Sequence, residues 1–329
     1  MCLTPCRFAA VGLSIWRVFA NGLVEIMKKP NFFARKKESF KHIFILEGWR
    51  SYTRLNGGSW IKVKLPRGNW QHTFCADPFL FRHDDTNWLF YETKTLDGKG
   101  IIGCSKELHG NWSWQGIVLE ENWHLSYPQV FGVGDKVYMI PESCKLGAVC
   151  LYEAVTFPYK WKMVKQLINE PLADATLLVK DSHYYLACYR VGPRLDAELW
   201  HADSLTGEWK RHPMSFKMKR AKRLRRCGGR FKEDEGQIFR IAQDCNGFYG
   251  KRLFKVPVLK LSAEEYEEGD ATLLLDKNIR PFGMKHTYNS MQTPEGFMEV
   301  VDVHHDVLRR FGEISRRLGR TFYNKVFGK

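Results

Sequence analysis

The sequence predicts an all-β fold, a five-bladed β-propeller, and two independent periodicities carry that prediction. Three stretches share one form: CADPFLFRHDDTNWLFYET (75–93), LSYPQVFGVGDKVYMIPES (125–143) and LADATLLVKDSHYYLACYR (172–190). Each has a polar or aromatic lead residue, an alternating apolar strand, a turn of Asp, Gly or Ser, and a second apolar strand, which is the pattern of a hairpin. The lead residues Asp77, Tyr127 and Asp174 are 50 and 47 positions apart. A tryptophan that follows a short turn keeps the same interval: Trp112, Trp161 and Trp209 are 49 and 48 apart. Units of this size with several short strands are propeller blades, whose radial closure protects sheet edges. A β-sandwich is the main alternative, but two sheets demand no such period.

Taken in order, residues 1–40 are expected to be an N-terminal appendage. Its most apolar stretch, residues 7–27, is broken by Arg17, Asn21 and Glu25 and is too polar to span a bilayer. No small-residue cleavage site follows it, so no secretory signal is read and the cytoplasm is the expected compartment. The propeller is expected over 41–304. HIFILEG (42–48) and SWIKVKL (59–65) are assigned to the last blade, so that the two chain ends close the ring together. After the three clear hairpins come two degenerate ones, RRCGGRFKEDEGQIFRIAQD (225–244), turning near Asp234–Glu235, and MKHTYNSMQTPEGFMEVVD (284–302), turning near Pro294–Gly296. Residues 305–329 are expected to form a basic amphipathic helix, because Val307, Leu308, Phe311, Ile314, Leu318 and Phe322 recur at helical spacing. It would pack on the propeller flank or make a peripheral contact with an anionic membrane, at the inner membrane face.

Composition narrows the function classes. The 329 residues carry 51 Lys+Arg against 36 Asp+Glu, a net charge of +15, with 44% hydrophobic residues. That excludes a disordered chain and favours anionic partners. Nine cysteines without a CxxC pair argue against a zinc ribbon or a disulfide scaffold. Cys75, Cys150 and Cys188 lie in apolar runs, where a free thiol serves as a small buried hydrophobe. GxxxxGK[ST], HExxH and GxSxG are all absent.

In a propeller the first strand of each blade lines the central channel, so the lead residues face one mouth. Hairpin arithmetic sets Asp77 across from Glu92, Tyr127 from Glu142 and Asp174 from Tyr189, a gap of 15 in each case. The fourth hairpin sets Arg226 near Gln243, and the fifth sets His286 or Thr287 near Asp302. His124 is expected at the rim, and Arg190 beside Tyr189 in the substrate region. Carboxylates converging on an aromatic-lined pocket suit sugar chemistry, with one as general acid or base and another stabilising an oxocarbenium-like state. Asp residues at strand starts also cap backbone amides, but Asp77 and Asp174 at equivalent places beside Glu142 favour a functional role. The run KMKRAKRLRR (217–226) leads into the fourth hairpin and suits a phosphate clamp, for a nucleotide- or lipid-linked sugar. No nucleic-acid-binding motif accompanies it, so no nucleic-acid partner is expected. Asp84–Asp85 sits at a hairpin tip and reads as turn chemistry. No metal and no cofactor is implied.

The blocks TFCADPFLF, LFYET, HLSYPQVF, VYMIPES, FPYKW, ADATLL, LWHADSLTGEWKRHP and FRIAQDC, in this order over roughly 45–290, resemble one family. The resemblance is to the amino-terminal propeller domain of glucosamine inositolphosphorylceramide transferases and their stand-alone bacterial relatives. It implies a five-bladed propeller similar to arabinanases, levansucrases and invertases, and a sugar-related role in surface-polysaccharide or glycoconjugate synthesis. Asp77 in ADPF and Asp174 in ADAT match the family of propeller glycosidases in blades one and three. Their fourth-blade Glu has no match, since Arg226-Cys227-Gly228 stands there. In the plant proteins the recognised transferase domain is a separate one. The expected function is therefore glycosyl transfer from a phosphate-linked donor. In it Asp77 is base or nucleophile, Asp174 the residue that orients or tunes it, and Glu142 the acid. Arg226 would hold phosphate, with Glu92, His124, Tyr127, Tyr189, Arg190, Gln243 and His286 shaping the sugar site. A glycan-binding partner of a transferase is the alternative, and a glycosidase the third reading.

Overall fold

The structure, a computed structural model, describes residues 45–65, 74–95, 98–192, 196–219, 224–246 and 249–308. Gly48–His305 form one compact unit. Met1–Glu47 and Asp306–Lys329 group as another, of which only strand residues 45–47 and 306–308 are described. The expected appendage and residues 309–329 of the expected helix lie outside the described residues.

Strands β1 (Ile45–Leu55) and β2 (Ile61–Lys62) open the chain. Blade 1 holds β3 (Ala76–His83), β4 (Thr86–Lys94), β5 (Gly100–Leu108) and β6 (Asn111–Leu119). Blade 2 holds β7 (Ser126–Val133), β8 (Lys136–Glu142), β9 (Val149–Thr156) and β10 (Lys160–Ile168). Blade 3 holds β11 (Leu172–Lys180), β12 (His183–Arg190), β13 (Asp196–Ala202) and β14 (Lys210–Arg211). Blade 4 is assembled from β15 (Arg226–Cys227), β16 (Lys232–Asp234), β17 (Gln237–Asp244), β18 (Arg252–Leu261), β19 (Tyr266–Glu268) and β20 (Thr272–Asp276). Blade 5 is β21 (Tyr288–Thr293) and β22 (Gly296–Leu308), completed by β1 and β2 in the order β2-β1-β22-β21. The fold is the five-bladed propeller that the repeats predict, closed by strands from both ends of the chain. Among the described residues no helix is long and apolar enough to cross a membrane.

Two boundaries differ from expectation. The first closing strand runs on to Leu55 instead of ending near residue 48. Trp49, Ser51 and Thr53 alternate inward, and two small polar side chains on the buried face hid the pattern. At the other end β22 continues through Leu308, so 305–308 are strand where a helix was expected. Backbone pairing in the closing blade overrides a local helical spacing there.

The tryptophan repeat has a packing cause. Trp112 on β6 joins Leu80, Leu89, Met298 and Val300 between blades 1 and 5. Trp161 on β10 packs on Phe90, Ile102 and Met139 between blades 1 and 2, and Trp209 fills the interface of blades 2 and 3 with Leu151 and Leu177. Each indole thus seals its blade against the preceding one. Trp112 Nε1 also donates to Thr53 Oγ1 at 2.9 Å, tying blade 1 to the closing strand. Thr53→Val should leave that buried indole N–H unpaired. We expect a loss of about 1–3 kcal/mol, read as a lower urea midpoint at unchanged m-value.

Inner strands present unpaired backbone groups to the channel, and side chains satisfy them across blades. Gln129 of β7 accepts from Leu177 N–H at 2.7 Å and donates to Leu177 C=O at 2.9 Å on β11. Asn289 of β21 donates to Pro78 C=O on β3 at 2.6 Å. These bridges hold the inner strands in register beneath the mouth that carries the site.

Candidate active site

The three lead residues share an unusual backbone. Asp77, Tyr127 and Asp174 have φ of 48°, 46° and 51°, a left-handed conformation uncommon for residues other than glycine. Each lies in a β-bulge, where the ladder slips between Ala76 and Phe79, Ser126 and Gln129, or Ala173 and Thr176. The bulge shifts the expected pairing by one residue: Ala76 faces Glu92, Ser126 faces Glu142 and Ala173 faces Tyr189. The gap is 16 instead of 15 because simple hairpin counting omits the inserted residue. Strain repeated at one place in three blades, two of them bearing Asp, marks a site at which side chains are re-aimed. In the fourth hairpin Arg226 pairs with Gln243 as the arithmetic predicts, although the turn lies at Glu235–Gly236, one residue later than expected, and the ladder slips by two residues between Cys227 and Lys232.

Asp77, 5% exposed, sits among groups from blade 5. Thr287 Oγ1 donates to Asp77 Oδ1 at 2.6 Å, and His286 Nε2 lies 3.3 Å from the same oxygen. The other ring nitrogen of His286 is 2.6 Å from Asp302 Oδ2. Asp302 is fully buried and also accepts the backbone N–H groups of Asp77 at 2.9 Å, His286 at 3.0 Å and Thr287 at 2.9 Å. Burial opposes a charge on His286, but Asp302 and Asp77 outweigh it and raise the imidazole to about 9. The ring is therefore an imidazolium at neutral pH, held between two carboxylates. Burial raises Asp77 above its usual value; His286 offsets this in part, and the Asp302 and Asp174 charges add to it.

Asp174 lies across the mouth, 2% exposed in its side chain. Arg226 grips it with two donors, Nη2 to Oδ1 at 3.1 Å and Nε to Oδ2. Gln243 Nε2 adds a contact at 3.4 Å, and Glu142 Oε2 accepts the Asp174 N–H at 3.4 Å. Arg226 Nη2 is 3.7 Å from Glu142. Burial, then the Asp174 charge, push Glu142 well above the usual carboxylate range, against the pull of Arg226. One mouth thus holds a carboxyl that burial and a neighbouring negative charge press toward its protonated form, Glu142, and a second carboxyl backed by an imidazolium, Asp77.

The remaining predicted residues fall into two groups. Glu92 is buried, with His124 Nε2 3.6 Å from its Oε1. The Gly100 N–H donates to His124 Nδ1 at 3.0 Å, an approach that needs glycine: a Cβ there would stand 2.5 Å from His124 Cε1. Burial, Lys94 and Lys145 lower His124 to about 4, so it is neutral in the working range. Half-buried Tyr189 lies close enough to Arg226 and Arg225 to feel both charges. Tyr127 and Arg190 are placed elsewhere. Tyr127 is fully buried, packs edge-on against Phe79, accepts the Gly229 N–H at 2.7 Å and bonds Thr176 at 2.9 Å. It braces the channel and cannot stack on a sugar as expected. Arg190 is tied to Glu198 at 2.5 and 3.0 Å and to Glu170. Of the basic run, 220–223 lie outside the described residues, and Arg226 faces carboxylates of the mouth where it was expected to face phosphate.

Four residues of the mouth escaped the sequence reading as site residues. Asp302 and Thr287 were already placed by the fifth hairpin arithmetic, and two carboxylates flanking one histidine was the available signal. Trp49 packs tilted against His286 with ring centres 3.9 Å apart, from the strand that runs further than the sequence predicts. Tyr249, 37% exposed, meets His286 edge-on at 5.1 Å and lies 5.2 Å from the Arg226 guanidinium; nothing in its loop announced it.

Asp77, His286 and Asp302 also offer ligand atoms within 4.8 Å of one another, the spacing of a metal cluster. The donor set is a poor fit, because the Asp302 oxygens already accept three N–H groups and Asp77 Oδ1 already accepts the Thr287 hydroxyl. Asp84 and Asp85 occupy the turn between β3 and β4, as expected.

Residues 63–295 match the family described as glucosamine inositolphosphorylceramide transferase 1, N-terminal. Curated proteins named glucosamine inositolphosphorylceramide transferase 1 are similar. That of Arabidopsis thaliana is 36% identical over 245 residues, covering 70% of this chain and 32% of the relative. That of Oryza sativa subsp. japonica is 36% identical over 219 residues, covering 64% and 29%. The chain therefore spans about a third of the length of these relatives. Among solved structures, RS223-beta-xylosidase superposes with a TM-score of 0.51 at 9% identity, over 70% of this chain and 91% of the other. The catalytic domain of the Coprinopsis cinerea GH62 α-L-arabinofuranosidase does so with 0.50 at 8% identity, over 78% and 97%. At such identities these two likenesses speak for the fold alone.

Proposed function

The chain belongs to the glucosamine inositolphosphorylceramide transferase 1 N-terminal family, and from that premise we propose that its propeller mouth transfers a glycosyl group from a phosphate-linked donor during glycoconjugate assembly. The observation that carries the reading is the opposed pair of carboxyls. Burial raises both carboxyls, but their neighbours differ: His286 and Thr287 draw Asp77 back toward ionisation, whereas the Asp174 charge adds to burial at Glu142 against the pull of Arg226. Two carboxyls whose surroundings separate their protonation states are suited to base and acid roles.

In the proposed step the Asp77 carboxylate takes the proton of an acceptor hydroxyl. The hydroxyl oxygen bonds the anomeric carbon as the bond from that carbon to the donor's phosphate oxygen breaks. Glu142 gives its proton to the departing phosphate, and the electron pair of the broken bond leaves with it. Asp174, neutralised by Arg226, sets the field at Glu142. Lys94 and Lys145, whose charges already bear on His124, supply positive potential for the donor's phosphate. A fourth-blade arginine where propeller glycosidases carry an acid weakens simple hydrolysis as a reading.

A second reading, a glycan-binding partner of a transferase, is favoured by one observation: the matched relatives are about three times as long as the matched region. A thermal-shift screen against nucleotide sugars, sugar phosphates and neutral glycans separates the two, because a ligand of the native state raises the melting temperature by mass action. We expect one nucleotide sugar to stabilise the wild type and to stabilise Asp77→Asn differently. Stabilisation by neutral glycans alone, equal in both proteins, would sink the transferase reading.

A further inference from the structure

Below the mouth, the inner strand of blade 4 breaks between β15 and β16, and Arg230 lies in the break. Gly229 permits the turn: its φ is 136°, and a Cβ there would stand 1.8 Å from the Tyr288 carbonyl oxygen. The Arg230 N–H is fixed by Asn289 Oδ1 at 2.7 Å. Its guanidinium crosses to two other blades, where Nη2 donates to Val130 C=O at 2.7 Å and to Leu80 C=O at 3.2 Å. Those carbonyls belong to β7 and β3, so the side chain lies in the channel between blades.

The charge of this arginine has no counterpart among the described residues. It forms no ion pair, and its acceptors are neutral carbonyls that occupy only Nη2. Nε is buried without a hydrogen-bond partner. Burial lowers its pKa to about 10, with Tyr127 alone acting the other way and no carboxylate near enough to count. Arg230 as a whole is half-buried, but its Nε is sealed from solvent, and a buried donor on a cation is costly unless an opposite charge or strong acceptor completes it. Among the described residues other enclosed cations are completed: Arg226 by Asp174, Arg240 by Glu268, and Lys285 by the three carbonyls of Asp276, Ile279 and Gly283.

We propose that the channel beneath the active-site mouth binds a small monovalent anion of chloride size against the free donors of Arg230. One unpaired positive charge calls for one negative charge. The bridges made by Gln129 and Asn289 leave the channel crossed by side chains at this level, which favours a compact ion. The anion locks Arg230 to β3, β7 and, through its backbone, β21. It therefore supports the strands that carry Asp77 and the blade 5 residues above.

The test is melting in sodium chloride against sodium gluconate at equal ionic strength and in halide-free buffer. We expect saturable stabilisation of the wild type by chloride, about 2–4 °C at several times the dissociation constant, and none in Arg230→Gln. Equal melting in the two salts, or an equal chloride gain in Arg230→Gln, overturns the proposal. Because Arg230 joins blades and the variant could fail to fold, crystals of the wild type soaked in bromide give a second reading. An anomalous peak within hydrogen-bond distance of the Arg230 guanidinium is expected, and its absence there overturns the proposal.

Discussion

Replacing Asp302 with asparagine is expected to destabilise the propeller by about 3–5 kcal/mol, the cost of removing one partner of a buried ion pair. Asp302 accepts three backbone N–H groups and neutralises His286 from a fully buried position. An asparagine amide keeps one acceptor oxygen, turns the other into a donor that faces donors, and removes the charge. For a domain of this size the melting temperature falls by roughly 2–4 °C for each kcal/mol. The pH dependence gives a second readout. His286 is raised from 6.5 to about 9 in the folded chain. Its contribution to stability is therefore fully present below pH 6.5 and is lost as pH rises through 9. Denaturant titrations of the wild type should show that loss, and Asp302→Asn should flatten it.

The second large effect falls on turnover. Glu142→Gln keeps the side chain's shape and removes the proton it donates, and a lost general acid lowers rate by about 10²–10⁴-fold. We expect kcat to fall within that range with substrate affinity nearly unchanged. The wild-type profile should be bell-shaped, because Asp77 must be ionised and Glu142 protonated. Rate then rises with pH as Asp77 loses its proton and declines as Glu142 does. In Glu142→Gln the alkaline decline attributable to Glu142 should disappear. A variant with the full wild-type rate and an unchanged alkaline limb would remove Glu142 from the acid role.

Much of this was legible before any coordinates, for physical reasons. A propeller blade cannot bury its faces alone, so each of the first three repeats carries the same sealing tryptophan and the same hairpin, and the 50-residue period reports both. Ring closure by the two ends was legible for the same reason, since the last hairpin lacked outer strands. What escaped was local. The bulges at Asp77, Tyr127 and Asp174 insert one residue that no alternation pattern registers, so facing residues were misassigned by one. Tyr127 was read as a ligand platform, because an aromatic at a lead position looks the same whether it points into the mouth or into Phe79. Arg226 was read as a phosphate clamp because charge runs say nothing of partners distant in sequence, and Asp174 lies 52 positions away. Trp49 lay on a strand whose inward face included serine and threonine, which apolar alternation cannot find.

The central claim, that the mouth holding Asp77 and Glu142 performs glycosyl transfer, is tested most directly by following the sugar. Purified full-length chain would be incubated with radiolabelled nucleotide sugars and a membrane lipid extract or oligosaccharides as acceptors. The account predicts that label moves to an acceptor, that little free sugar appears, and that Asp77→Asn and Glu142→Gln each reduce transfer by about 10²-fold or more. Acceptor-independent release of free sugar, or transfer that survives both substitutions, would contradict it.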